Sequence, residues 1–285
     1  MRHGALGLLR RVVLSVLVLI ALCVGAVYAR TAWILGRTHD VAVPVVALNT
    51  AVTDAAEARR FTIIIGCLSC HGRTGGGGRM SMPGVFELGA PNLTKVLPMY
   101  SDAEVVRLLR AGVRRDGRAA LGMPSATFYP MSDEDLGRVI GYLRSLPPAP
   151  GRGPGPVRHL SFRARIGIAI GRFRTSMAEV NPTAPRWGER PRSTPFERGR
   201  YLASITCSEC HGRTFGGNAD AGSPSLAIAR GYDLTQFTHL LRTGQPIGGR
   251  DLGEMSEAAR EDFVNFRDDE IADIYAFLRR EFGDI

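Results

Sequence analysis

The most continuous hydrophobic stretch lies near the start of the chain. The eighteen residues from Val12 to Ala29 form an apolar run interrupted only by Ser15, and three arginines precede it. At ~1.5 Å per residue, such a helix spans about 27 Å, close to the thickness of a bilayer's hydrocarbon core. We predict a retained membrane anchor over 12–29, preceded by a short N-terminus over 1–11. A cleaved signal sequence ending at Ala29 is the open alternative.

Beyond this run, apolar residues recur with the 3.6-residue period of helices. Near the C-terminus, Ile271, Ile274, Tyr275 and Leu278 fall on one helical face. Helix starts are marked by a capping residue followed three positions later by an acid or an amide. These pairs are Asp54 with Glu57, Ser101 with Glu104, Ser132 with Asp135, Thr194 with Glu197, and Asp233 with Gln236. No alternating run of strand length competes, so the pattern predicts an all-α fold.

The helical part of the chain contains an internal repeat. Residues 100–118 align without a gap onto 232–250, and residues 128–143 align onto 263–278. We therefore predict a tether over 30–48 and a first module over 49–148. A linker over 149–193 and a second module over 194–285 follow.

The linker has two distinct parts. Residues 149–156 are a proline- and glycine-rich run that no helix can cross. Residues 162–173 then mix isoleucines with arginines, which is compatible with a basic amphipathic helix on a lipid surface. The other interpretation, which we favour from the sequence, is a linker helix packed between the two modules.

The net charge of +9 is unevenly distributed. Residues 151–200 carry 11 Arg and 3 Glu, whereas residues 201–285 carry 8 Arg and 14 acids. A basic chain suggests a nucleic-acid partner in general, but here the basic surplus lies mainly in the tether and linker, and no nucleic-acid motif is present. We expect no nucleic-acid partner, and we expect the acidic second module to dock a basic one.

The chemistry of the chain is concentrated in two pentapeptides of the form C-x-x-C-H. They hold four of the five cysteines and lie 140 residues apart: Cys67, Cys70 and His71, and Cys207, Cys210 and His211. The motif is the attachment site of a c-type haem, in which the imidazole binds the iron. A shared zinc site would need the two pairs close together, and a redox dithiol normally accompanies a βαβ pattern. We predict two covalently attached haem c groups.

The motif-flanking segments resemble a class I cytochrome c module. The residues that carry this resemblance are Pro91-Asn92-Leu93-Thr94, Gly122-Met123-Pro124 and the terminal helix ending at 142–147. The whole chain resembles the membrane-anchored dihaem cytochromes c that serve bacterial periplasmic dehydrogenases. In that family a methionine before the last helix is the second axial ligand. The resemblance implies Met123 in the first module, with Met80, Met82, Met99 and Met131 as rivals. In the second module it implies Met255, with His239 as the rival.

Methionine ligation suits electron transfer because it closes the iron and raises its potential. We expect a relay of single electrons from a dehydrogenase or quinol-linked donor to an oxidase or soluble cytochrome. The resemblance implies a single-pass protein of the bacterial cytoplasmic membrane with its haem modules in the periplasm. The segment between Met255 and Phe263 is three residues longer than its counterpart between Met123 and Phe128. An enzyme with one open iron, peroxidase-like or thiosulfate-oxidising, is therefore the alternative, and an assembly subunit is a weaker one. We assign no catalytic residue, and whether the chain is an enzyme stays open.

Overall fold

The computed structural model describes residues 2–150, 159–219 and 221–283. The protein is mostly helical, which confirms the predicted fold class. The helices are α1 Arg2–Gly36, α2 Ala55–Ile64, α3 Cys67–His71, α4 Leu93–Val96, α5 Asp102–Ala111, α6 Ser125–Phe128, α7 Asp133–Ser145, α8 Phe162–Ala169, α9 Ser176–Glu179, α10 Pro195–Thr206, α11 Ser208–His211, α12 Leu234–Thr243, α13 Glu254–Glu261 and α14 Asp268–Phe282. Single 3₁₀ turns lie at Leu97–Met99, Trp187–Glu189, Leu226–Gly231 and Phe263–Asn265.

The predicted helix starts are confirmed by the capping geometry. Ser101, Thr194 and Asp233 each accept a hydrogen bond from the backbone N–H three residues later, and the side chain at that later position bonds back. Asp54 and Ser132 make the first of these bonds. Such caps satisfy N–H groups that the first helical turn leaves without partners.

The N-terminal helix is longer than the predicted anchor. It continues past Ala29 to Gly36, so the first part of the expected tether is helical. Residues 30–36 include no proline, and Ile34 and Leu35 pack against a small apolar cluster from the first module and the linker, which stabilises the extra turns. The part from Gly7 to Gly36 is long and apolar enough to cross a membrane.

The rest of the tether lies against the first module. His39 donates its backbone N–H to Gly117. Further on, the chain crosses helix α7 at Gly137 and Gly141. A Cβ at these two glycines would lie 2.4 Å from the carbonyl oxygen of Asn49 and 2.2 Å from that of Thr50. Only glycine allows this close approach, so the segment is fixed to the module.

A small antiparallel sheet was not predicted. Strands β1 (Gly78–Met82) and β2 (Phe86–Ala90) form a hairpin, and β3 (His159–Leu160) pairs with the start of β2. The glycine-rich sequence before β1 hides the strand pattern. In the structure the start of β1 packs closely on helix α3, because a Cβ at Gly78 would lie 2.3 Å from the carbonyl oxygen of Cys70. The hairpin is therefore held against the first C-x-x-C-H motif.

The linker helix α8 is formed, but its predicted position between the modules is wrong. It packs against α1 and the sheet, with Ala164 and Ile168 buried beside Val85 and Leu88. The apolar side chains of the sheet and of the end of α1 form the surface on which α8 packs. Within the glycine- and proline-rich start of the linker, residues 151–158 lie outside the described part of the chain.

The two modules share one hydrophobic core. A continuous cluster of buried side chains includes Phe61, Leu136 and Ile140 from the first module and Ile205 and Phe277 from the second. In the second module, α10 crosses α14 closely at Gly199, where a Cβ would lie 1.8 Å from the carbonyl oxygen of Asp273. The joint core fixes the two repeats relative to each other.

Candidate functional site

Each C-x-x-C-H motif lies at the end of a longer helix. Helix α2 leads into α3, and α10 leads into α11, so the repeat places both motifs in the same local setting. Cys67 is buried and Cys207 is half-buried, while Cys70 and Cys210 are exposed, and all four thiols are free. Each motif thus offers one thiol from the core and one from the surface.

Both motif histidines are buried and held in one orientation. The Nδ1 atom of His71 donates to the carbonyl oxygen of Pro91 at 2.9 Å, and Nδ1 of His211 donates to Pro224 at 2.8 Å. A bond of this kind leaves Nε2 free to bind a metal and fixes the ring direction. Burial lowers the pKa of His71, which favours the neutral, ligand-competent ring.

These residues fit a covalently attached haem. Two thiols and one oriented imidazole per motif form the complete donor set that such attachment requires. Burial raises the pKa of Cys67 to about 12 and that of Cys207 to about 11, so neither is a thiolate at neutral pH. Raised thiol pKa values argue against a reactive redox dithiol at either motif.

Sequence reasoning missed the function of the two prolines. Pro91 begins one of the segments that carry the family resemblance, and Pro224 stands at the matching place of the second copy. The carbonyl groups of both prolines are the acceptors that orient the histidines. The signal available in the sequence was their presence in both copies downstream of the motif.

Met123 lies in the loop before α6 and is half-buried against the shared core. Gly122 precedes it with a φ of +78°, which favours glycine. A Cβ at Gly122 would lie 2.8 Å from Leu88 and 3.5 Å from the methyl group of Met80. The structure therefore brings the rival Met80, which is exposed, to the same loop as Met123. Met131 is fully buried in the core, as an ordinary packing residue would be.

Met255 is the second residue of α13 and is also half-buried against the shared core. The next residue, Ser256, is buried; its hydroxyl donates to the carbonyl oxygen of Gly244 at 2.6 Å and accepts from the Leu252 N–H at 2.9 Å. The longer loop predicted here is thus a helix of eight residues, compared with four in α6. The rival His239 is exposed on α12.

The two motifs meet across the interface between the modules. The hydroxyl of Ser69, inside the first motif, donates to Asp262 of the second module at 2.7 Å. The hydroxyl of Ser208, inside the second motif, donates to the carbonyl oxygen of Ser204 at 2.7 Å and lies 3.4 Å from the hydroxyl of Thr127 in the first module. Thr127 and Asp262 occupy the same position of the repeat, directly before a phenylalanine. Each motif therefore contacts the same position of the opposite module, through the third residue of the first motif and the second residue of the second motif.

Charged and polar pairs surround these contacts. Arg60 pairs with Glu270 at 2.7 Å, Arg267 pairs with Glu57 at 2.9 Å, and the Tyr201 hydroxyl donates to Asp135 at 2.5 Å. Each pair joins one module to the other. Because they are shielded from water to different degrees, they contribute unequally to holding the motifs together.

Comparisons with known proteins agree with this geometry. A family model described as "Cytochrome C oxidase, cbb3-type, subunit III" matches residues 54–143, and one described as "Cytochrome c" matches residues 196–280. The chain is 26% identical, over 250 residues, to the fructose dehydrogenase cytochrome subunit of Gluconobacter japonicus. The match covers 77% of this chain and 51% of the relative, so the chain spans about half the length of that protein.

Covalently bound haem c and electron transfer follow from the two matched domains. The N-terminal helix fits a membrane anchor. The chain is a cytochrome c with two such domains after a long apolar helix, and as a whole it resembles the cytochrome subunits of dehydrogenases.

Proposed function

We propose that this chain relays single electrons between two haem c groups, one in each module. Cys67 and Cys70 attach the first group, and Cys207 and Cys210 attach the second. The proximal ligands are His71 and His211, and the distal ligands are Met123 and Met255. The cysteines and histidines occupy equivalent places in the two repeats, and each methionine lies in the segment that precedes Phe128 or Phe263.

The contact of each motif with the opposite module is the observation that carries this proposal. Ser69 and Ser208 lie inside the two motifs, and both contact the opposite module directly. Two cofactors attached at these motifs therefore share one protein interface. Rapid exchange of electrons between two haem groups of one chain requires a short distance between them through packed protein.

The remaining residues hold and shield the two sites. A bound c-type haem supplies reversible one-electron chemistry. Pro91 and Pro224 fix the imidazoles, and the apolar cluster around Met123 and Met255 keeps water from the distal side. Burial of this kind, together with axial ligand identity, sets the potential of a haem site. None of these functions requires an acid or base to transfer a proton.

We further propose that the donor is a dehydrogenase or a quinol-linked protein, and that the acceptor is an oxidase or a soluble cytochrome. The similarity to a dehydrogenase cytochrome subunit and to an oxidase subunit supports partners of these classes. We place the chain in the bacterial cytoplasmic membrane with α1 as a single span and both modules in the periplasm.

The proposal is tested by counting covalently bound haem in the full chain, matured in a host with a cytochrome c assembly system. After acid-acetone extraction, the wild type should retain about two haems per chain. The variants Cys67→Ala/Cys70→Ala and Cys207→Ala/Cys210→Ala should each retain about one. Cys23→Ser, outside both motifs, is the matched control and should retain the wild-type content.

Two results would contradict the proposal. One is a wild-type pigment that acid acetone extracts, and the other is a single retained haem per chain. In intact holoprotein, both haems should be reduced by a dehydrogenase-type donor system and reoxidised by a soluble cytochrome. A haem that titrates but exchanges with neither would indicate a structural function.

A further inference from the structure

The linker helix α8 is attached to the end of the apolar helix α1. The rings of Tyr28 and Phe162 stack with centroids 6.2 Å apart, and the guanidinium of Arg165 lies 4.6 Å from the Tyr28 centroid. The buried hydroxyl of Thr31 donates to the carbonyl oxygen of Arg165 at 3.0 Å, and Arg30 donates to that of Ala169 at 2.7 Å. These contacts begin where the apolar run of α1 ends.

The contacts also show where α8 lies along α1. Their partners on α8 extend from Phe162 to Ala169, and on α1 they extend from Tyr28 to Thr31, with Ile34 and Leu35 packed against the same apolar cluster as Ala164 and Ile168. Helix α8 therefore lies beside the part of α1 that follows the apolar run. If α1 spans a membrane, α8 lies at the membrane surface, at the end of the span.

Helix α8 has one buried face and one exposed apolar face. Ala164 and Ile168 pack against the sheet. Phe162, Ile166 and Ile170, spaced four residues apart, are 41%, 36% and 72% exposed. We call these three side chains the apolar stripe. Tyr28, which stacks on Phe162, and Trp33 extend the exposed apolar surface onto α1, with exposures of 45% and 56%.

The surroundings of the stripe are basic. Residues 162–174 contain four arginines and no acid. Arg163 and Arg174 are exposed, and Arg37 lies 4.5 Å from the Trp33 ring centroid. Aromatic rings, aliphatic side chains and arginines at the end of a spanning helix are the composition of a membrane–water interface.

We propose that α8 is an interfacial helix whose apolar stripe enters the headgroup region of the bilayer, and whose arginines contact anionic phospholipid headgroups. The proposal rests on the proposed membrane span of α1. The occupant is a lipid surface because the stripe is continuous with the end of that span, and because the flanking charge is entirely positive. The first module is then held on the membrane at a fixed orientation.

The test uses the full holoprotein in lipid nanodiscs. A single cysteine introduced by Ile170→Cys in a Cys23→Ser background is labelled with an environment-sensitive fluorophore, since the motif cysteines are consumed by haem. Lipids with a nitroxide near the headgroup should lower its emission about twofold or more, relative to discs without nitroxide. Dividing by the nitroxide-free signal removes quenching by haem.

Two labelled controls separate this inference from the anchor. Native Cys23 lies inside α1, and Ile247→Cys places the label on the exposed loop between α12 and α13. Quenching at 23 and 170 but not at 247 supports the proposal. Quenching at 23 alone overturns it and leaves the anchor intact. Quenching at none of the three positions shows that α1 does not span, and the inference fails with it.

A second arm tests the lipid charge. Quenching at 170 should be stronger in discs with phosphatidylglycerol than in purely zwitterionic discs. The variant Arg163→Gln/Arg174→Gln should remove this difference, whereas Arg250→Gln on the second module should retain it. Equal quenching in both lipid mixtures would overturn the part of the proposal that concerns anionic headgroups.

Discussion

The two modules use equivalent positions at their interface with different chemistry. Asp135 and Glu270 are both buried at the start of their module's last helix and occupy the same position of the repeat. The other module approaches Glu270 with the guanidinium of Arg60 but approaches Asp135 with the phenol of Tyr201. The repeat thus keeps the geometry of the contact, whereas the donor from the other module is charged at Glu270 and neutral at Asp135, which also pairs with Arg138 and Arg192.

The distal loops differ in a similar way. Met123 lies in a short loop followed by the single turn of α6, whereas Met255 is part of the two-turn helix α13. The longer segment before Phe263 is the observation that favours the alternative function, an enzyme with an open iron in the second module. The segment that contains Met255 is nevertheless held in place, because the hydroxyl of the neighbouring Ser256 donates to the carbonyl oxygen of Gly244.

Opening the distal side should have the largest effect. In the reduced wild type we expect no carbon monoxide binding, because both methionines close their sites. Met123→Ala and Met255→Ala should each allow about one carbon monoxide per chain and lower the reduction potential of the affected site. Optical titration with carbon monoxide measures the first quantity, and spectroelectrochemistry measures the second.

Met99→Ala is the matched control because Met99 is exposed and outside both loops. It should behave like the wild type. Carbon monoxide binding by the wild type, unchanged in Met255→Ala, would mean that Met255 is not a ligand and that the two modules differ in kind. If Met80→Ala rather than Met123→Ala opens the first site, the neighbouring rival is the ligand.

Removing the interface donors should have the next largest effect. The loss in the free energy of unfolding should differ between the Arg60–Glu270 contact and the Tyr201–Asp135 contact. Arg60→Met leaves Glu270 buried with Arg267 as its one charged partner among the described residues, and we expect a loss of about 2 kcal/mol in the free energy of unfolding. Tyr201→Phe leaves Asp135 with Arg138 and Arg192, so about 1 kcal/mol is expected.

Denaturant unfolding of the holoprotein measures both losses. The exposed pair of Arg73 and Glu261 is the control, and Arg73→Met should cost less than about 0.5 kcal/mol. A loss for Tyr201→Phe as large as that for Arg60→Met would show that the charge of the first side contributes nothing extra.

Acid should weaken the charged side of the interface. The hydrogen bond from Arg60, with a further contribution from Arg267, lowers the pKa of Glu57 to about 2 from its ordinary value of 4.5. A lowered carboxylate pKa stabilises the folded state above the unfolded-state value, and this stability is lost as pH falls toward the folded-state value. We expect about 2 kcal/mol to be lost between pH ~5 and ~2.

Glu57→Gln should remove this part of the acid dependence and should be less stable than the wild type at neutral pH. Urea unfolding at a series of pH values measures the slope. If the free energy of unfolding of Glu57→Gln depended on pH as steeply as that of the wild type, Glu57 would have the same pKa in the folded and unfolded states. Arg60 would then act on Glu270 alone.

The features that depend on interactions between neighbouring residues could be predicted from the sequence. The caps at Ser101, Thr194 and Asp233 are formed by residues three positions apart, so they are readable in the sequence, and the helices begin where predicted. The two haem motifs are similarly local. The alignment of residues 128–143 with 263–278 also places Met131 opposite Phe266, and both are buried.

Features that depend on distant contacts were missed. The β1–β2 hairpin follows a glycine-rich run, and its third strand comes from the linker. The contact between Ser69 and Asp262 joins residues 193 positions apart, and no local pattern encodes it. The linker helix was recognised, but its packing partner was wrong, because the continuation of α1 beyond Ala29 depends on the surface that Ile34 and Leu35 meet.

The unbroken helix between Ala29 and Gly36 makes the protein sensitive to small changes in length. Each residue inserted there would raise the first module by about 1.5 Å and turn it by about 100° about the helix axis. A single inserted residue would thus rotate the first module about the axis of α1 and displace it from the linker helix contacts, whereas seven inserted residues would nearly restore the angle and move the module about 10 Å further along α1. The number of residues between Ala29 and Gly36 therefore sets both the distance of the haem modules from the end of the apolar run and their rotation about the axis of α1.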